Sequence, residues 1–137
     1  MRVRTTWSAD EWDELVRGSR NGTLLHTRRY LEHQGDRFAD RSVLVESDSG
    51  PIAVFPAARH PERPEVVVSH PGLTYGGLVT APNVGVPDVA EAMEAIVGHF
   101  AQEGVIEVIY KQVPRLYHRV PNDDDSFALV RLGASPR

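Results

Sequence analysis

The chain has 137 residues and 15.2 kDa, with 15 Lys and Arg against 19 Asp and Glu, a net charge of -4 and no cysteine. That length supplies one hydrophobic core, and the missing thiols exclude disulfides, thiolate zinc sites and a cysteine nucleophile together. The acidic balance is the reverse of a nucleic-acid footprint, no apolar run approaches the roughly 18 residues of a membrane span, and Met1-Arg-Val-Arg-Thr-Thr6 lacks the apolar segment of a signal peptide, so a cytoplasmic protein without DNA as a partner is expected.

Ser8-Ala-Asp-Glu11 is a capping box, a hydroxyl at the N-cap with a carboxylate three residues on, and Trp12, Leu15 and Val16 follow at helical spacing. A first helix is predicted over about residues 9–18, ended by Gly18 and Asn21-Gly22. Thr27 is placed to cap a shorter helix carrying Tyr30 and Leu31, with Gly35 near its end. From Ser42 the period changes. Val43-Leu-Val45 and Ile52-Ala-Val-Phe55, joined at Asp48-Ser-Gly50, predict an antiparallel hairpin. Arg59-His-Pro-Glu-Arg-Pro64 reads as a charged loop and Val66-Val-Val68 as a third strand.

Tyr75-Gly-Gly-Leu-Val79 is expected to be extended, and Pro82 to Pro87 to form a connection. The longest helix follows, with Pro87 in its first turn, Asp88 and Glu91 at its positive end, and Val89, Met93, Ile96, Val97 and Phe100 on one buried face until Gly104. Val105 to Lys111 is predicted as a strand, so that strand, helix and strand make a crossover. Asn122 and Asp123-Asp-Asp125 cap a last helix that runs to Leu132 and stops at Gly133. Without repeats or a linker, residues 1–137 are expected to form a single domain.

Two runs have the residue types of a binding site. Ser69-His-Pro-Gly-Leu-Thr-Tyr-Gly-Gly77 combines glycines, hydroxyls, an imidazole and a phenol after a buried strand, a pattern that brings backbone amides and polar side chains close to a ligand or simply makes a tight turn. Tyr110-Lys-Gln-Val-Pro-Arg-Leu-Tyr-His118 sets Lys111, Tyr117 and His118 at a strand end, where ligands gather in α/β sheets. His26 and Tyr30 are weaker candidates, while His33 and His60 read as solvated. Zinc-hydrolase histidine spacing, a nucleophile elbow, a Walker loop and a dinucleotide fingerprint are all missing, and no metal site is expected. Asn21-Gly-Thr23 reads as a turn, and Asp123 to Asp125 as a solvated helix start.

Taken together, Asn21-Gly-Thr-Leu-Leu-His26, Ser69 to Gly77, Tyr110-Lys-Gln-Val-Pro114 with Tyr117-His118, and Asp124 with Ala128-Leu129 resemble the N-terminal half of Fem-type (FemAB-like) acyltransferases of the GNAT superfamily. The resemblance spans about residues 7–134. It implies an α/β (α+β) fold, a mixed and mostly antiparallel GNAT-like sheet flanked by helices, here lacking the final strand. It also implies a component that binds the acceptor, a small molecule or cell-envelope precursor, in N- or O-acyl or aminoacyl transfer. Acyl-CoA or aminoacyl-tRNA would be the donor substrate, with no cofactor permanently bound. His70, Tyr75, Gly76, Gly77, Lys111 and Tyr117 would then recognise the acceptor, and His118 would serve as a general base.

The stretch Ala81-Pro-Asn-Val-Gly-Val-Pro87 departs from a pyrophosphate loop, having two prolines without amide protons. A sheet lacking its final strand would expose an edge that invites pairing with another chain, so a homodimer or a complex with a second GNAT-like domain is expected. The competing expectation is a degenerate GNAT-like module that binds a ligand or a protein and does no chemistry.

Overall fold

The computed structural model describes residues 1–32, 38–70 and 75–136. In chain order the elements are β1 (Arg2–Arg4), α1 (Ala9–Gly18), α2 (Arg28–Glu32), β2 (Val43–Ser47), β3 (Gly50–Phe55), β4 (Ala58–Arg59), β5 (Val66–Val68), β6 (Val79–Thr80), α3 (Val86–Gln102), β7 (Glu107–Ile109) and α4 (Asp124–Arg131). Short 3-10 turns lie at Leu24–His26 and Arg115–Tyr117. The result is a mixed α+β fold with mostly antiparallel sheets flanked by helices. One sheet has the order β1-β2-β3-β6, all antiparallel, and the other the order β4-β5-β7, in which β5 and β7 run parallel.

Both faces of the first sheet are covered at its central strands, which is why β2 and β3 read as continuous apolar runs. Val43, Val45, Ala53 and Phe55 point to one side, where Val89, Met93, Ile96 and Phe100 of α3 meet them. Leu44, Val54 and Val79 point to the other, against Trp12 and Val16 of α1 and Leu31 of α2. The predicted caps of α1 and α2 form, whereas Asp123 at the start of α4 makes no side-chain cap and Asn122 Oδ1 accepts the Asp124 amide instead. Ser8 Oγ accepts the Glu11 amide at 3.0 Å, and Thr27 Oγ1 accepts that of Tyr30 at 3.3 Å. Gly35 and His33 lie outside the described residues.

Several expectations need correction. β1 is invisible to periodicity because Arg2-Val-Arg4 has almost no apolar content; ion pairs hold it, Arg2 to Glu46 and Arg4 to both Glu46 (3.2 Å) and Glu11 (2.8 Å). Arg59 leaves the predicted loop and joins β4, paired to β5. The strand expected at Tyr75 narrows to Val79–Thr80, because side chains take the place of a neighbouring strand before it. The Leu78 amide donates to Tyr110 Oη (2.7 Å), and Asn21 Nδ2 donates to the Leu78 carbonyl (2.7 Å).

The predicted Val105–Lys111 strand likewise narrows to Glu107–Ile109, since β5 ends at Val68 and the Lys111 amide goes instead to Ser69 Oγ (2.6 Å). The crossover holds in altered form: the strand after α3 pairs with β5, not with β6 just before the helix. Val97, expected on the buried face of α3, is 41% exposed. Among the described residues no helix is long and apolar enough to cross a membrane.

Candidate functional site

Residues of the four runs singled out in the sequence are linked just beyond the ends of β5 and β7, through His26 and Gly76, Ser69 and Lys111, and Tyr110 and Asp125, while residues 71–74 lie outside the described residues. Ser69 Oγ takes the Lys111 amide, and the Lys111 carbonyl accepts the Gly76 amide at 3.1 Å, so the glycine-rich run and the Tyr110–His118 run lie side by side. Sequence alone leaves that adjacency open. Lys111 Nζ reaches the His70 carbonyl at 3.5 Å. His70 itself is buried, with a φ of 48°.

Gly76 and Gly77 are required here for different reasons. A Cβ on Gly76 would stand 2.2 Å from the Ser69 carbonyl oxygen, inside any van der Waals contact. Gly77 has φ of +62°, which an L side chain adopts only with strain, and a Cβ there would lie 3.2 Å from the Lys111 carbonyl oxygen. Tyr75 stacks on Tyr117 with ring centroids 5.6 Å apart, and Tyr117 is 52% exposed, so the pair presents an aromatic face to solvent.

His26, a minor candidate by sequence, is the pin of this corner. Thr23 and His26 close a reciprocal cap, with His26 Nδ1 accepting the Thr23 amide at 3.0 Å. Nδ1 is therefore unprotonated, and Nε2–H donates to the Gly76 carbonyl. The ring also lies 5.8 Å from that of Tyr75, whose hydroxyl reaches Thr23 Oγ1 at 3.4 Å. Burial pushes the His26 pKa down to about 4, outweighing the hydrogen bonds to Gly76 and Thr23 that raise it. The Thr-x-x-His spacing at residues 23–26 is the signal that could have found it. Tyr30 does not share this environment and packs instead against the α1 and α2 cluster.

Tyr110 is a second pin. Its hydroxyl accepts from the Leu78 amide and donates to Asp125 Oδ2 at 2.9 Å. Burial, then the charge of Asp125, hold the phenol above its usual pKa. The three aspartates expected to be a solvated helix start have separate partners: Asp123 binds Arg115 (2.6 Å), Asp124 binds Arg20 (3.0 Å), and Asp125 binds Tyr110.

His118 lies at the far end of the run. Its Nε2 donates to the Val113 carbonyl (3.1 Å) and its Nδ1 accepts the Asn122 amide (3.4 Å), which ties the loop that carries Tyr117. His60 sits in the β4–β5 loop with Nδ1 accepting the Glu62 amide (3.1 Å). Among the described residues no group of three His, Cys, Asp or Glu is arranged to hold a metal ion.

No known family and no curated protein matches this chain in sequence. Solved structures share its fold. TTHA1254 from Thermus thermophilus superposes with a TM-score of 0.62 at 18% identity, covering 100% of this chain and 91% of that one, and a point mutant of the same protein gives 0.61. FemX superposes with a TM-score of 0.57 at 16% identity, covering 97% of this chain and 32% of that one. The chain thus spans about a third of the length of FemX.

Proposed function

We propose that this chain is the acceptor-binding component of a Fem-like acyltransferase of GNAT type. The observation that carries the reading is the convergence of four separate polar runs on one corner, in a fold similar to part of FemX. There the Tyr75–Tyr117 face, the Lys111 ammonium and the Gly76-Gly77 backbone would hold an amine- or hydroxyl-bearing acceptor, a small molecule or cell-envelope precursor. Transfer from acyl-CoA or aminoacyl-tRNA needs no enzyme nucleophile, so orientation of the two reactants supplies much of the rate. We assign His118 the task of holding the Tyr117 loop, with any base role requiring that Nδ1 first release the Asn122 amide.

One observation favours a second reading, a binding module without chemistry. The start of α3, where a GNAT domain cradles pyrophosphate, is satisfied from within: Gly85 N–H goes to Asp88 Oδ2 (3.3 Å), Val84 N–H to the Ala81 carbonyl (3.3 Å), and Pro82 and Pro87 have no amide proton. In the transferase reading the donor site then belongs to another GNAT-like domain, in a second copy or a separate chain.

The test is calorimetric titration with a panel of amine- and hydroxyl-bearing envelope precursors, together with acetyl-CoA. The transferase reading expects an acceptor whose affinity falls about tenfold in Lys111→Ala and in Tyr117→Ala, which removes an exposed half of the aromatic face, each with a near-normal melting temperature. Binding that ignores both substitutions would remove the site from this corner. An acceptor bound but never acylated, with any GNAT-like partner and donor present, would establish the second reading.

A further inference from the structure

Asn21-Gly22, a turn by sequence, does the work of a strand. β6 pairs with β3 on one side. Along its other side the Arg20 amide donates to the Thr80 carbonyl (3.1 Å), Asn21 Oδ1 accepts the Thr80 amide (3.1 Å) and Asn21 Nδ2 donates to the Leu78 carbonyl (2.7 Å). Such a bridge needs a side-chain amide, which both donates and accepts, and two backbone partners fix which way round it lies. Gly22 is equally constrained, because a Cβ there would stand 3.0 Å from both the Val16 carbonyl oxygen and Val79 Cγ1, and closer still to Ser19 Oγ. The fold thus requires an asparagine directly before a glycine, whose bare backbone leaves its nitrogen unshielded in a flexible chain.

In a flexible chain that pair reacts with itself. The Gly22 nitrogen attacks Asn21 Cγ: an N–Cγ bond forms, the Cγ–Nδ2 bond breaks, and Nδ2 leaves as ammonia with the proton from Gly22. Water then opens the cyclic imide at either carbonyl, leaving aspartate or isoaspartate at position 21. The folded chain withholds each participant. Ser19, Asn21 and Gly22 are buried. The Gly22 N–H is donated to Ser19 Oγ (2.8 Å), which itself donates to the Val16 carbonyl (2.6 Å), and Asn21 cannot turn towards Gly22 without giving up both backbone partners.

We infer that Asn21-Gly22 is a deamidation site that folding closes and unfolding opens, and that the reaction bars the way back. Either product exchanges the amide for a carboxylate, which has no N–H for the Leu78 carbonyl and is buried beside it. Isoaspartate also lengthens the main chain next to Gly22, where there is no room. A chain left unfolded is marked and lost to the native pool. This inference stands on the β6 edge and is independent of the transferase reading.

Peptide mass mapping of the full chain, incubated at mildly alkaline pH across a guanidinium series, tests it. Asn83 before Val84 and Asn122 before Asp123 are internal controls. Conversion at Asn21 should follow the unfolded fraction read from tryptophan emission, and should be at least about a hundredfold slower without denaturant than in the fully unfolded chain. After dilution into native buffer and a pulse of protease, the surviving chains should be the unconverted ones. Asn21→Asp, made directly, should unfold at lower denaturant than the wild type or not fold at all. Conversion as fast in the folded chain as in the unfolded one, conversion in the unfolded chain no faster at Asn21 than at Asn83 and Asn122, converted chains that survive the protease, or wild-type stability in Asn21→Asp would each overturn the proposal.

Discussion

Replacing His26 with Gln should flatten the acid side of the stability profile. In the unfolded chain an imidazole takes up its proton near pH 6.5, whereas in the folded protein His26 does so only near pH 4, chiefly because it is buried. Between those values the unfolded state binds the extra proton, so the native state gains stability as pH rises and loses it as pH falls from about 6.5 to about 4. The gap of roughly 2.5 units corresponds to about 3 kcal/mol, fully present above pH 6.5, and His26 is fully buried, so no discount for solvent applies.

The assay is urea unfolding of both proteins at pH steps from 7.5 to 4. Subtraction removes the contributions they share, including Glu11, whose carboxyl the Arg4 guanidinium holds below its usual range. At neutral pH His26→Gln should be the less stable protein, because the Gly76 carbonyl and the Thr23 amide lose well-placed partners. The difference should then shrink by about 3 kcal/mol towards pH 4. A constant difference across the range would show that His26 is not the buried neutral pin described here.

Tyr110→Phe should cost about 2 kcal/mol in chemical denaturation, since the Leu78 amide and the Asp125 carboxylate lose their shared partner. Wild-type stability would disprove the bridge. Gly76→Ala should lower stability by about 2 kcal/mol or more, because the new methyl collides with the Ser69 carbonyl; a neutral result would mean the loop relaxes freely. Val97→Asp, which helical periodicity alone marks as ruinous, should cost less than about 1 kcal/mol because the site is 41% exposed, and a large loss by thermal melting would restore the buried assignment.

Much of the fold was legible because burial on two faces writes itself as unbroken apolar runs. Val43 to Val45 and Ile52 to Phe55 could hardly be anything but strands, and Ser8 with Glu11 announced α1. What hid was held by charge or by side chains standing in for backbone. β1 rests on arginine–glutamate pairs, and Leu78 is satisfied by Asn21 and Tyr110, arrangements that no periodicity displays. In the candidate site the residue types of both runs could be read, but their contact depends on β5 and β7 lying parallel, a pairing about forty residues apart in sequence. His26 ranked only as a weaker candidate because the Thr23–His26 spacing shows its local cap but not its bond to Gly76, 50 residues further along the chain.

The placement of the two tryptophans has a practical consequence. Trp7 and Trp12 sit 4.7 Å apart on one side of the first sheet, both against the guanidinium of Arg28, while the opposite layer contains Phe55, Phe100 and Tyr110. Indole emission therefore reports on the α1 and α2 layer alone, and far-UV dichroism is weighted towards α3, the longest helix, on the other side. The protein thus has a separate optical probe for each layer. Superimposable denaturation curves from the two signals would show that the layers come apart as one cooperative unit, and separated midpoints would show which layer survives without its neighbour.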